Sequence, residues 1–457
     1  MGTRDKEWPQ ILAIIVACIP GLTSALLFSW PSPFILVLIQ DKEHYDISED
    51  EANLLPVLLP IGVTVSAIFF FKIHDIIGRK YTLIVISIPQ ALFWIITIFA
   101  KDIYTFYIAR VLSGVGDAMV YGTVPIYIGE IATPSIRGTW GSGQTFAYNA
   151  GFLLINVIGK YCNIQQTSYI CLIFPVSFVI IFIWMPETPH YYVMKGQDDK
   201  AKASLRWLLR KDNIETDFLQ LKSDVQRQIS ESGTWKDLFI IKSNRKALTT
   251  CIFLKYSQAM AGISALETYI QFIFEKSGNL SVSPEMASIY FSAFMWLIMT
   301  LLTVTLDIFG RRKSMLISSL GCSMLLLCEA IYFYINEFHP SIDLSAMQWF
   351  PLAVLIVYVI FYSVGLGPLP SLMTGELFSV SIKGKGICVS NFSMGIIITI
   401  GTFTFKSLNG TVGLYAPFLV YAVSTFASFI LSFFLVPETS GKTLEEIQQQ
   451  LKGNVKK

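Results

Sequence analysis

Asp75-Ile76-Ile77-Gly78-Arg79-Lys80 is matched later in the chain by Asp307-Ile308-Phe309-Gly310-Arg311-Arg312. Asp, Ile, Gly and Arg recur at the same places, and each hexapeptide ends on a second cation. Further pairs keep the same order around them. Glu130 precedes Arg137 as Glu376 precedes Lys383, at equal spacing. Pro186-Glu187-Thr188 closes the first block and Pro437-Glu438-Thr439 closes the second. The chain is an internal duplication. Between the copies lies a polar stretch from Glu187 to Lys246, crowded with Lys200, Lys202, Arg206, Arg210, Lys211, Lys222 and Arg227. Ala201, Leu205, Leu208 and Leu209 recur at helical spacing, which predicts a helix over 198–228.

Each block is apolar. The 457 residues are 53% hydrophobic and 14% charged, with mean hydropathy +0.57. Soluble domains carry about 25% charged residues. Repeated apolar runs of about 20 residues therefore predict a polytopic membrane protein. The spans fall near 9–39, 53–73, 81–100, 103–129, 138–159, 168–185, 249–274, 286–306, 314–335, 349–375, 386–405 and 413–436. The predicted fold class is an all-α membrane protein of twelve transmembrane helices in two six-helix bundles joined by a helical linker. The first apolar run is long and leads into an acidic loop, so no cleavable signal peptide is expected.

Twelve spans put both termini on one side. Of the 34 Lys and Arg residues, only Lys42, Lys101, Arg110, Lys160, Lys276 and Lys406 fall on the other; Lys255 sits at the start of the seventh span. The positive-inside rule then places both termini and the linker in the cytoplasm. The expected division is 1–189 for the first bundle, 190–246 for the linker, 247–440 for the second bundle and 441–457 for a cytoplasmic tail. Asn279-Leu280-Ser281 and Asn409-Gly410-Thr411 fall outside and are candidate glycosylation sequons.

The net charge of +2 does not point to nucleic acid, because the charges are partitioned by loop. Seven cysteines are scattered without metal spacing, mostly inside spans, and the four histidines lie apart. No metal or cofactor is expected. There is no nucleophile–base pair or phosphate loop, so an enzyme is not expected. The partners implied are the lipid bilayer and a small molecule, with no obligate protein partner evident.

Three constellations point to a mechanism. In the paired Asp-x-x-Gly-Arg-Arg/Lys loops, Gly allows a tight turn. Asp75 and Asp307 are placed to accept from the amides of the next helix. Arg79, Lys80, Arg311 and Arg312 need carboxylates, and Glu130 and Glu376 are the candidates. Such a network is a latch that opens and closes; the plainer alternative is charge that merely holds a loop inside. Second, Gly365-Leu366-Gly367-Pro368-Leu369-Pro370 interrupts the tenth span. Broken helix at membrane depth is tolerated where it is buried or lines a cavity. Third, Asp117, Glu267 and Glu329 are acids inside apolar sequence, where ionisable groups mark pathways or pair with unseen partners.

In order along the chain, these features resemble the sugar porter family of the major facilitator superfamily, and most of all the arthropod facilitative trehalose transporters. The carriers are Asp75–Lys80; Arg110 with Gly114; Pro125–Ala132 followed by Arg137-Gly138; Pro186–Pro189; Gln258–Phe274; Asp307–Arg312; Gly365–Pro370 with Glu376-Leu377-Phe378; and Pro437–Ile447. The resemblance implies a central sugar site and alternating access by rocking of the halves. It makes Asp75, Arg79, Lys80, Glu130, Arg137, Asp307, Arg311, Arg312, Glu376, Lys383, Gly367, Pro368 and Pro370 gating residues.

The sugar-contacting positions depart from the family. Its Gln-Gln-x-Ser-Gly-Ile-Asn of the seventh helix reads Gln258-Ala259-Met260-Ala261-Gly262-Ile263-Ser264, and its Tyr-Tyr pair reads Thr268-Tyr269. The fifth-helix Gln falls on Thr145, with Gln144 one residue earlier. The eighth-helix Asn is Met295, the Trp after Gly-Pro-x-Pro in glucose carriers is Ser371, and Lys383 replaces an Arg. Gln258, Ser264, Thr268, Tyr269, Thr145, Gln144, Ser371 and Glu267 form the implied substrate set. The function expected is facilitative transport of trehalose or a hexose across the cell membrane. The same fold with a less polar cargo, and a transport-inactive sensor, remain as alternatives.

Overall fold

The computed structural model describes residues 7–70, 73–133, 136–137, 140–211, 213–230, 233–277, 282–302, 309–379, 381–442 and 444–452. Asp307 and Asn279 lie outside them. The described residues are helical and joined by short turns, with no strand among them. Twelve helical passes run in order: Trp8–Gln40, Leu55–Phe70, Arg79–Phe99, Ile103–Ile131, Gly143–Tyr161 and Ile164–Phe182, then Lys242–Met260 continued by Ile263–Lys276, Pro284–Leu302, Arg311–Phe338, Phe350–Leu377, Lys383–Thr411 and Tyr415–Leu435. Nine of these are long and apolar enough to cross a membrane by length and composition alone. Among the described residues the second pass covers Leu55–Phe70, the fifth carries Gln144, Thr145, Asn149 and Asn156, and the seventh is split.

Within the first half the second and third passes pack on the fourth, and the fifth packs on the first; within the second half the ninth packs on the tenth and twelfth. The halves meet along the second and eleventh passes and along the fifth and eighth. At the end away from the termini, Ile263–Lys276 also packs on Pro31–Gln40 of the first pass.

Three expectations shift. The helix expected over 198–228 is two, Asp198–Leu209 and Glu215–Ser230. Arg210 closes the first with a left-handed φ of 49° and sets its guanidinium over Trp8 and Trp207. The seventh pass begins at Lys242, not 249, which draws Lys255 well inside it. It then breaks at Ala261-Gly262, where Gly262 has φ 85° and a Cβ would stand 2.7 Å from the Tyr421 ring. Asn409, expected in an outer loop, sits half-buried in the last turn of Lys383–Thr411, with Thr411 Oγ1 donating to Ser407. A helical sequon near a membrane surface is a poor match to the exposed loop that glycosylation needs.

Candidate functional site

The duplicated loops build two matching networks at the face that carries the termini. Gly78 (φ 98°) and Gly310 (φ 80°) each turn the chain into the following helix. A carboxylate from the Pro-Glu-Thr motif lies against each glycine. Glu187 Oε2 accepts from Lys80 N at 2.9 Å. Glu438 accepts from Arg311 N at 3.0 Å and Arg312 N at 3.1 Å. The helix-capping role expected of Asp75 therefore falls to Glu187. A carboxylate arriving from a distant turn can sit on the helix axis, where free amides and the helix dipole favour it. Burial pushes the Glu187 carboxyl above its ordinary value, while the Thr188 and Lys80 amides pull it down.

The arginines complete the networks. Arg79, itself buried, pairs with Glu130 at 3.0 Å and with Asp75 at 3.2 Å. Arg311 pairs with Glu376 at 3.2 Å. Thr188 Oγ1 donates to Glu130 at 2.5 Å, and Thr439 Oγ1 to Glu376 at 2.6 Å. Each of these bonds stays within its own half. The second cations go to backbone instead: Lys80 Nζ to Ile183 O at 2.6 Å, and Arg312 to Phe433 O. Arg137 donates to Gly129 O at 2.6 Å and Ala132 O at 3.2 Å, which holds the turn after the fourth pass. Lys383 starts the eleventh pass.

A second, sparser polar set surrounds the breaks of the seventh and tenth passes. The tenth pass is interrupted between Val364 and Leu369. Pro368 and Pro370 start its second piece, where a missing N–H does least harm. Two side chains satisfy the backbone that the break frees. Gln258 Nε2 donates to Gly367 O at 2.7 Å, and Ser318 Oγ accepts from Leu366 N at 2.9 Å. Gln258 Oε1 is buried and takes no hydrogen bond among the described residues. Past the Gly262 turn, Glu267 Oε2 accepts from Tyr148 OH of the fifth pass at 3.2 Å. That bond crosses from one half to the other. A second crossing bond, Tyr269 OH to Asn53 O at 2.6 Å, lies at the far end, with the Tyr269 ring stacked on Phe405.

A sequence profile of the family described as Sugar (and other) transporter matches residues 32–451. The facilitated trehalose transporter Tret1 of Bombyx mori is 31% identical over 446 residues, which is 97% of this chain and 87% of that one. Its namesake from Polypedilum vanderplanki is 29% identical over 456 residues, 98% and 89% of the two chains. The chain belongs to the sugar transporter family. The xylose transporter XylE of E. coli, in an inward open conformation, superposes with a TM-score of 0.77 at 18% identity, over 96% of this chain and 99% of that one. The fold is the twelve-helix major facilitator fold.

In this sugar transporter the sequence-derived substrate set is only partly brought together. Glu267 meets Tyr148 of the other half, and Gln258 meets Gly367 of the tenth pass. Thr268 Oγ1 is spent on Ser264 O and Ala265 O of its own helix. Tyr269 joins the halves rather than standing free, and Ser264 is buried. Gln144 lies over Gly21 of the first pass. Thr145 lines a cavity of about 30 Å³ with Ser142, Phe146, Asn149, Met299 and Thr300, between the fifth and eighth passes. Asp117 is held by Ser24 at 2.6 Å and not by Arg110, whose guanidinium donates to the carbonyls of Leu55, Leu27 and Phe28. Sequence reasoning missed Tyr148 and Asn149. Their signal was the polarity of the fifth pass, which spacing alone does not orient.

Proposed function

We propose that this sugar transporter carries trehalose or a hexose down its gradient by exposing a site between its two halves to each side in turn. The observation that carries the reading is the end-to-end similarity to a facilitated trehalose transporter. The geometry agrees with it. Each half is held as a unit by its own Arg–Glu network, so the halves can rock without losing their internal bonds. Downhill transport needs only comparable binding in both states and a lowered barrier between them. With Lys and Arg concentrated on the termini face, that face is cytoplasmic and the protein sits in the cell membrane. The Tyr269–Asn53 bond then closes the outer side.

Gln258, Glu267 and Ser371 are the residues we assign to sugar contact, and the two Arg–Glu networks to gating. Carboxylate and amide acceptors suit hydroxyl donors, and a buried acceptor left without a donor is costly. A less polar cargo or a transport-inactive sensor gains no support from the relatives.

The test is uptake of labelled trehalose and glucose into proteoliposomes, with and without an inward proton gradient. Saturable uptake of either sugar, indifferent to the gradient, is expected. Folded protein that takes up neither would sink the reading.

A further inference from the structure

Lys255 belongs to no network described above. It lies in Lys242–Met260, nine residues beyond Lys246, about 14 Å along the helix axis. It is 5% exposed. Among the described residues its ammonium finds one hydrogen-bond partner, the hydroxyl of Ser371 at 3.4 Å. Among the described residues no carboxylate lies within ion-pair distance of it, and its only titratable neighbour is the Cys251 thiol. Thr374, one turn along from Ser371, has its hydroxyl tied to Pro370 O. Glu267 lies on the same pass beyond the Gly262 turn and bonds Tyr148 instead.

An ammonium offers three donors, and here one is used. A charge buried at membrane depth without a partner is costly and tends to mark a pathway. The place of Lys255 says which pathway. It is three residues before Gln258, on the same helix face. Gln258 meets the tenth-pass break at Gly367, and Lys255 meets the same pass one turn further on, at Ser371. Ser371 is exposed, so the ammonium stands one hydroxyl away from open space, beside the amide assigned to sugar contact. What the pair lacks is an acceptor with one negative charge. A monocarboxylate supplies two acceptor oxygens and that charge; a phosphate dianion would leave a charge over.

We propose that Lys255 and Ser371 form a carboxylate-binding subsite of the sugar site, and that the cargo class includes a sugar acid of the uronate or aldonate type. This rests on the sugar-carrier reading and adds the acid group to it.

The experiment is competition in proteoliposomes. Uptake of labelled glucose or trehalose, whichever the protein takes up, is inhibited by unlabelled D-glucuronate or by unlabelled D-glucose, and the ratio of the two half-inhibiting concentrations is read. In the parent, glucuronate is at least ~10-fold the more effective, the scale of one charge-assisted hydrogen bond. Lys255→Met brings the ratio to about one, and Lys255→Arg keeps the preference. Glucuronate no better than glucose, with saturable sugar uptake present, overturns the subsite and leaves the sugar carrier standing. So does a preference that survives Lys255→Met. No saturable uptake of glucose, trehalose or glucuronate overturns both. Should Lys255→Met fail to fold, thermal stabilisation of the parent decides: a larger shift with glucuronate than with equal glucose supports the subsite, and an equal or smaller one overturns it.

Discussion

Glu187 takes the backbone N–H of Lys80 at 2.9 Å. The closing motif of the sixth pass thereby caps the start of the third, and Glu438 repeats the arrangement on Arg311 in the second half. This contact binds three separate stretches of each half, because Thr188 and Thr439, next in the chain, hold Glu130 and Glu376. The networks are structural frames within the halves.

Glu187→Ala and Glu438→Ala should each destabilise the protein. Hydrogen bonds to a charged acceptor are worth about 1.5–3 kcal/mol. A thermal unfolding midpoint lower by several degrees in detergent is expected, with Glu187→Gln closer to the parent because one acceptor remains. Unchanged midpoints in both alanine variants would remove the capping role.

Arg79→Ala and Arg311→Ala should slow the cycle more than they weaken binding. Each arginine joins the loop before a helix to a glutamate on a neighbouring pass. The maximal rate of uptake is expected to fall by at least ~10-fold, as when one partner of a buried pair is removed, with KM changed far less. Equal maximal rates in variant and parent would refute it.

Tyr269→Phe tests the outer closure. The ring stays stacked on Phe405 while the bond to Asn53 O is lost. A net hydrogen bond of about 1 kcal/mol corresponds to a shift of ~5-fold toward the outward-open state. A cysteine placed beside Asn53 should then react faster with an impermeant thiol reagent. An unchanged labelling rate would show that the bond does not bias the two states.

Gln258→Ala removes the amide that both ties the tenth-pass break and presents a free acceptor. Saturable uptake of the transported sugar should be lost, or its KM raised by at least ~10-fold, since a site built around a hydrogen bond discriminates strongly. An unaltered KM would place sugar recognition elsewhere.

Much of the machine was legible because it is written twice. Matching Gly78 with Gly310, Glu130 with Glu376 and Pro186-Glu187-Thr188 with Pro437-Glu438-Thr439 needs no structure, and twelve apolar runs follow from bilayer thickness. The break at Gly365–Pro370 was equally visible, because proline and glycine act locally. The split of the seventh pass is not legible in the sequence, since a single glycine inside a span does not by itself break a helix. The partner of each charge was also hidden. Asp75 was the nearer acid to the third-pass amides, yet Glu187 arrives there through the folding of the chain.

The sequence by itself determined the number of passes, the duplication, the partition of charge between alternate loops and the family. All of these depend on composition and local order. The tertiary structure alone decided that Glu187 caps Lys80, that Tyr148 reaches Glu267 across the halves, and that Lys255 is buried beside Ser371. These contacts join residues on different passes, and a helical period fixes which residues share a face but not what that face meets.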